Sequence, residues 1–432
     1  MTLLRRATAR TFHSLTIRNY RLYFIGQIVS MSGTWMQTVA QSWLVLKLTN
    51  SAFALGLTVA LQFLPVLLFG AWGGVIADRF DKRRALLVTQ SLMGTLALIL
   101  GLLTATGTVR LWMVYLLAGA FGMVAVFDIP ARQSFVVEMV GPEDLTNAVG
   151  LNSTIFTASR VIGPAIAGLL IARVGLSWCF LINAASYLGV LAGLIAMDQS
   201  KLMRRAPVSR AKGQLMEGLR YVRSTPILLW SLLMMAVVGT LTFNYQVLLP
   251  LFAKNVFKGD ASTFGLLSSV LGVGAVVGAL VSASRRQPSV TVLIVASLVA
   301  GVALILGAAA PTIQLEMAAL IVIGAFSIIF ISTSNSMLQL NSADHMRGRV
   351  MALYSVVFVG SAPIGGPIVG WIAQQSGPRS GFLVGGLSAI LVSAVAFTAR
   401  LRIARRARLV TSISSDSVDF EPTAVEHETA VV

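Results

Sequence analysis

Long apolar runs alternate with short polar breaks along almost the whole chain. They fall at 22–46, 54–76, 86–105, 111–136, 148–171 and 178–197, then at 227–251, 264–283, 290–309, 316–340, 350–373 and 382–399. A membrane-spanning helix takes ~20 mostly apolar residues, so the pattern predicts an all-α integral membrane protein with twelve transmembrane helices. The longest internal polar stretch, 198–225, lies between the sixth and seventh runs and predicts two six-helix bundles, 22–197 and 226–400, joined by a linker. Its basic, amphipathic part, 210–223, is expected to lie on the membrane surface. Residues 1–21 form a basic tail. Residues 401–432 form a second one whose Ser-, Thr-, Glu- and Val-rich end has no periodicity and is expected to be disordered.

The two halves echo each other. Gly74-Val75-Ile76-Ala77-Asp78 returns 204 residues later as Gly278-Ala279-Leu280-Val281-Ser282, and Gly163-Pro164 returns after 203 as Gly366-Pro367. A pseudo-symmetric pair of bundles follows.

Composition agrees with a membrane protein. Of 432 residues, 56% are hydrophobic and 11% charged, against about 25% charged in soluble domains. The net charge of +17 raises the possibility of nucleic-acid binding, but the bases are placed otherwise. With the N-terminus inside, 25 of the 33 Lys and Arg fall in inward-facing segments and six in outward-facing loops. That bias sets topology and puts both termini in the cytoplasm, beside an anionic inner leaflet. The single Cys179 rules out a disulfide framework. His13, His345 and His427 all lie in polar flanks, so no metal site, cofactor site or catalytic constellation is predicted within the bilayer.

Four motifs carry candidate chemistry. The first is the hairpin of Gly74, Asp78, Arg79, Lys82, Arg83 and Arg84 between the second and third helices. There Asp78 can pair with a neighbouring arginine and hold one conformation of a rocking protein, or the bases can simply anchor the loop to lipid. The second is Asp128 with Arg132 one turn on and Arg160 on the next helix. Ionisable groups at such depth line a cavity or pair with each other, so Asp128 is either a proton acceptor or half of a structural ion pair. The third is the Gly-Pro step of Gly163, Pro164 and Gly168, echoed by Gly366 and Pro367, which permits close packing and bending. In the fourth, Gln27, Gln37, Gln41 and Trp35 either face a substrate cavity or tie helices together.

The hairpin, Asn19-Tyr20-Arg21-Leu22, Pro130-Ala131-Arg132-Gln133, Arg160-Val161-Ile162-Gly163-Pro164 and Arg347-Gly348-Arg349 recur in this order in one known group. The chain resembles transporters of the major facilitator superfamily, in particular the bacterial drug-exporter and enterobactin-exporter-like branch. The resemblance implies a secondary active transporter in the bacterial cytoplasmic membrane, not an enzyme. It would be a monomer that exchanges protons for small amphipathic molecules such as drugs or siderophores. A solute importer on the same fold is the first alternative, and a non-transporting membrane enzyme or scaffold the second. Two positions depart from the branch: Asp81 stands where the hairpin usually has glycine, and Gly33-Thr34 where many relatives carry an acid.

Overall fold

The computed structural model describes residues 12–203, 214–285 and 287–416, with the backbone alone at 71, 75–78, 214, 215 and 403–416. All regular structure among them is helical. α1 (Arg18–Thr49), α2 (Ala52–Arg79) and α3 (Lys82–Ala105) follow one another through turns of two residues each. Those turns are tight because Ser51 and Asp81 cap the next helix, accepting from the N–H groups of Ala54 and Arg84.

A 63-residue helical run, Leu111–Arg173, departs from helical geometry only at Gly141 (φ 74°, ψ 178°), which precedes Pro142. Glycine takes the positive φ without strain, and proline starts a new helix naturally. The run is therefore two passes, α4 (111–140) and α5 (142–173). The sequence predicts a polar connection over 137–147; helix occupies nearly all of it.

α6 (Leu176–Ile195) completes the first bundle, and α7 (Gln214–Ser224) occupies the end of the linker, whose residues 204–213, including the start of the expected amphipathic stretch, lie outside the described residues. The seventh pass differs from the expected single helix. α8 (Pro226–Leu241) gives way at Thr242–Asn244 to α9 (Tyr245–Leu251), which runs into a π-helical turn, Phe252–Val256. α10 (Ala261–Ser284), α11 (Val290–Ala309), α12 (Ile313–Leu340), α13 (Asp344–Ser376) and α14 (Pro378–Asp416) follow. The α14 backbone stays helical to Asp416, so disorder does not begin at 401 as expected; 417–432 lie outside the described residues, as do 1–11.

Ten of the described runs are long and apolar enough to cross a bilayer. The 63-residue run holds two passes, and the more polar α1 makes twelve. In the first bundle α1 packs on α5 and α6, α2 on α4, and α3 on α4 and α6. In the second, α8 packs on α13 and α14, α10 on α12, and α11 on α12 and α14. Each pairing in one bundle has its counterpart six passes later in the other.

Two seams join the bundles, α2 on α13 and α5 on α10. Both need glycine. A methyl on Gly56 would strike the Gly366 carbonyl, and one on Gly265 would sit 2.6 Å from the Pro164 carbonyl and 2.7 Å from the Cα of Gly168. The two Gly-Pro steps are thus the surfaces on which the bundles meet.

The core is divided unevenly. At the face where α1 ends and α2 begins, one cluster of buried side chains spans both bundles, from Leu44 and Leu55 to Phe252, Phe264 and Phe382. At the opposite face, where α1 begins and α6 ends, each bundle has its own cluster, one around Tyr23 and Phe135 and another around Met235 and Phe330. The bundles are knit together at the first face, here the closed face, and have separate cores at the tail face.

Candidate functional site

A buried polar network ties the first bundle together. Asp128 on α4 is 2% exposed and receives four hydrogen bonds. Thr89 Oγ1 and Gln90 Nε2, both on α3, donate to Oδ1 at 2.7 Å each. Arg132 donates to Oδ2 through Nε at 3.2 Å and Nη2 at 2.5 Å. Its remaining nitrogen, Nη1, donates to Gln27 Oε1 on α1 at 2.7 Å. With donors on both oxygens and a guanidinium one turn away, Asp128 has the geometry of an ion pair joining α1, α3 and α4.

Gln37 on α1 is similarly committed, accepting from Asn183 Nδ2 on α6 at 2.7 Å. Gln27 and Gln37 thus make interhelical bonds, while Gln41 is buried and makes no hydrogen bond among the described residues. Gly33 also has a packing role. A side chain there would collide with Asn183 and Ser186, so α6 occupies the space where many relatives place an acid.

Arg160 behaves differently. Its guanidinium carbon lies 5.5 Å from the centre of the Trp35 ring, and among the described residues it has neither a carboxylate nor a hydrogen-bond acceptor. Trp35 is held in place by Phe156, edge-on at 5.8 Å. α5 can approach α1 this closely because Gly163 faces the Ser32 carbonyl at a distance of 2.7 Å from where a Cβ would sit. The second bundle adjoins the same spot. Gly272 on α10 packs against the Arg160 carbonyl, Ser269 Oγ donates to the Val161 carbonyl at 3.1 Å, and Tyr245 on α9 lies within electrostatic reach of the guanidinium. Arg160, Trp35 and Tyr245 therefore meet at the bundle interface. Asp128 and Arg132 do not join them, so the predicted charge network separates into two.

The hairpin is seen in part. Gly74 is buried, Arg79 and Arg84 are exposed, and the Asp78 side chain lies outside the described residues. Arg83 caps the end of α6, its Nε donating to the Leu194 carbonyl at 2.6 Å and its Nη2 to that of Ile195 at 3.2 Å. Lys82 is buried, with its ammonium 3.4 Å from the Phe80 carbonyl. Nearby, Asn19 pairs twice with the Asp198 backbone and Tyr20 donates to the Ala148 carbonyl at 2.9 Å, locking the start of α1 to α5 and the end of α6. Gly366 and Pro367 lie in the α2–α13 seam.

Two features go beyond the sequence reading: the partner of Trp43, a residue expected to face a cavity or anchor α1 at the interface, and the burial of Glu316. Trp43 on α1 stacks on Phe264 of α10 across the interface, at 6.2 Å and 23°. Glu316, taken as the border of its apolar run, is fully buried, and neither carboxyl oxygen has a hydrogen-bond partner. Its signal was an acid flanked on both sides by apolar residues with no base within ten positions before it or after it.

The profile of the transmembrane secretion effector family matches residues 9–429. Among characterised proteins, the chain is 27% identical over 383 residues to the staphyloferrin A transporter of Staphylococcus aureus, covering 87% of this chain and 94% of that one. It is 25% identical over 379 residues to the enterobactin exporter EntS of Escherichia coli, covering 86% and 89%. Among solved structures, a bacterial homologue of the lysosomal transporter Spinster, inward-facing and unoccupied, superposes with a TM-score of 0.71. It is 15% identical and covers 88% of this chain and 96% of that one. An inward-facing bacterial homologue of the iron transporter ferroportin gives a TM-score of 0.67 at 16% identity, covering 88% and 98%. These structures share the fold. The protein is a multi-pass membrane transporter of small molecules, not an enzyme, and it belongs to the transmembrane secretion effector family of the major facilitator superfamily.

Proposed function

We propose that the protein exports small anionic chelators of the siderophore type across the bacterial cytoplasmic membrane by alternating access. The observation that carries this reading is the guanidinium of Arg160, which sits at the meeting of the two bundles without a carboxylate partner among the described residues. A cation held there without an anion is costly, and a substrate carboxylate or catecholate would supply the missing charge. Trp35 and Tyr245 offer aromatic surface for the apolar part of such a molecule. The chain's similarity to a staphyloferrin A transporter and an enterobactin exporter supports this class over cationic drugs.

Topology follows from the bases. The tail face carries Arg18, Arg79, Arg83, Arg84, Arg220, Arg347 and Arg349, so by the positive-inside rule it is cytoplasmic. The separate cores at that face then correspond to an inward-open state that loads from the cytoplasm. The hairpin bases and α7 rest against anionic lipid, with Asp78 as the latch that reforms when this face closes. Asp128 and Arg132 act as a structural pair, which leaves proton coupling to another group.

Inside-out proteoliposomes holding labelled staphyloferrin A, enterobactin or a lipophilic cationic dye outside test the reading. Uptake of one or both anions and not the dye is expected, and Arg160→Gln should weaken it by roughly 10- to 150-fold, the loss of one hydrogen bond to a charged group at ~1.5–3 kcal/mol. Dye uptake equal to that of the anions, with Arg160→Gln indifferent, would refute anion selectivity. Uptake only in right-side-out liposomes would make the protein an importer.

A further inference from the structure

We infer that Glu316 is a proton-binding site of the second bundle, shielded in its protonated form while the outer face is closed and reached by outer water when that face opens. Its carboxyl is fully buried in the first turn of α12, against the Cα of Gly307 on α11; a Cβ built there would come within 3.0 Å of Oε2 and 3.5 Å of the Phe382 ring. Among the described residues neither oxygen accepts a hydrogen bond. A bare carboxylate in such a place is far costlier than the neutral acid, so the acid carries its proton.

The helix terminus does not relieve it. The N–H of Glu316 itself goes to the Thr312 carbonyl at 3.1 Å, and that of Leu315 goes to the Thr312 hydroxyl at 3.5 Å. The charged groups around it are few. α11 and α12 contribute no other ionisable residue, and α10 contributes only Asp260 at its start, whose carboxylate is held by Ser262 and Thr263. The π-helical turn carries Lys254, and α14 carries Arg379, the cation whose field reaches Glu316. Arg379 is exposed, and its Nη2 donates to the Ala310 carbonyl at 3.1 Å.

A continuous set of contacts links this acid to the bundle interface. Lys254 Nζ donates to Asn50 Oδ1 of the first bundle at 3.0 Å. Two residues earlier, Phe252 lies on Phe382, ring centres 4.4 Å apart. Phe382 also covers Gly307, the residue that Glu316 touches. Opening the outer face must break the Lys254–Asn50 contact and release the π-helical turn, a local geometry common at functional sites. Water then reaches the carboxyl and Arg379 can swing onto it. Glu316 can then exchange its proton with that water, with the guanidinium as partner to the carboxylate whenever the proton is off, and closure shields it again in the protonated form. Which compartment supplies the proton rests on the orientation proposed above; the proton site does not.

Infrared spectroscopy of the full chain in lipid nanodiscs tests this without a substrate. Wild type at neutral pH should show the carbonyl stretch of a protonated carboxylic acid, shifted in D2O and lost on alkaline titration, and Glu316→Gln should lack it. Absence of the band in wild type, or its persistence in Glu316→Gln, would overturn the assignment. The wild-type isotope shift and titration decide the protonation state even if the variant fails to fold. In proteoliposomes, Glu316→Gln should keep exchange of labelled for unlabelled staphyloferrin A and lose accumulation driven by a pH gradient. Undiminished accumulation would remove Glu316 from coupling. Wild type that moves no siderophore while keeping the band would refute the substrate reading and leave the proton site standing.

Discussion

Replacing Asp128 by asparagine separates a structural pair from a proton carrier. Asparagine keeps the size of the side chain but removes the charge and turns one oxygen into a donor. In the native network Oδ1 receives two bonds, from Thr89 and Gln90, and Oδ2 receives two from Arg132. The amide can turn its NH2 toward Thr89, whose hydroxyl can donate to the Leu86 carbonyl instead, and toward Gln90, whose Oε1 has no other partner, so the loss falls on the charge that faced Arg132. Arg132 is left as a buried cation whose one other acceptor is Gln27. Breaking a buried ion pair from one side costs ~3–5 kcal/mol, roughly two to three and a half orders of magnitude in the folding equilibrium. For a bundle of this size that is on the order of 10 °C in thermal midpoint. The assay is a double-mutant cycle read by thermal unfolding in detergent, with Arg132→Gln and the double variant. Each single variant should be destabilised, and the double variant should recover much of the loss because no uncompensated charge remains. Asp128→Asn as stable as wild type, with gradient-driven transport alone abolished, would refute the structural assignment and return Asp128 to the coupling path.

Two further outcomes follow from the seams and caps. Gly56→Ala places a methyl against the Gly366 carbonyl, and such overpacking costs ~1–3 kcal/mol. It should open the outer face, lengthening the distance between spin labels at Asn50 and Lys254; an unchanged distribution would show that the seam relaxes locally. Asp260 caps α10 outside the membrane-spanning segment, and the hydroxyl of Ser262 with the N–H of Thr263 hold its carboxyl below the usual range. Asp260→Ala should cost ~1 kcal/mol at neutral pH. Because the folded-state value is the lower one, that contribution is present above the ordinary carboxylate range and is lost as pH falls through the depressed value. Thermal midpoints of wild type and variant should therefore converge in acid, and a gap independent of pH would contradict the capping role.

Much of the fold was legible because a bilayer imposes one rule. Every backbone group in a span must be satisfied within its own helix, so length and hydropathy alone mark the passes. Twelve runs and a midpoint linker were enough to give two bundles. What failed was local. The α4–α5 connection looked like a loop because Glu143, Asp144 and Asn147 are polar, yet helices extend past the bilayer and only Gly141 leaves helical geometry. The break at Thr242–Asn244 left no proline or glycine to mark it. The Gly-Pro echoes were read as sites of close helix packing and bending; that the packing is between bundles shows only in the structure.

The site was harder to read because partners lie on other helices. Asp128, Arg132 and Arg160 are close in depth but point to different neighbours. Nothing in the local sequence says that Thr89 and Gln90 serve Asp128 while Arg160 lies on Trp35. Gln27 and Gln37 look like cavity residues until Arg132 and Asn183 are seen to hold them.

The pseudo-symmetry makes the two buried acids a natural comparison. α4 and α12 are counterparts in the two bundles, and the most deeply buried acid is Asp128 in one and Glu316 in the other. The first lies within reach of an arginine one turn away and two donors on α3. The second has no donor among the described residues. An acid held by four bonds can exchange a proton only by dismantling the packing of three helices, at the cost worked out above. An acid with no bonds to break needs only access to water, which the outer contact through Lys254 and Phe252 can grant or withhold. Equal helices thus hold unequal chemistry: the first bundle has a fixed charge pair that keeps α1, α3 and α4 together through each cycle. The second has the group whose charge would change if water reached it through an opened outer face.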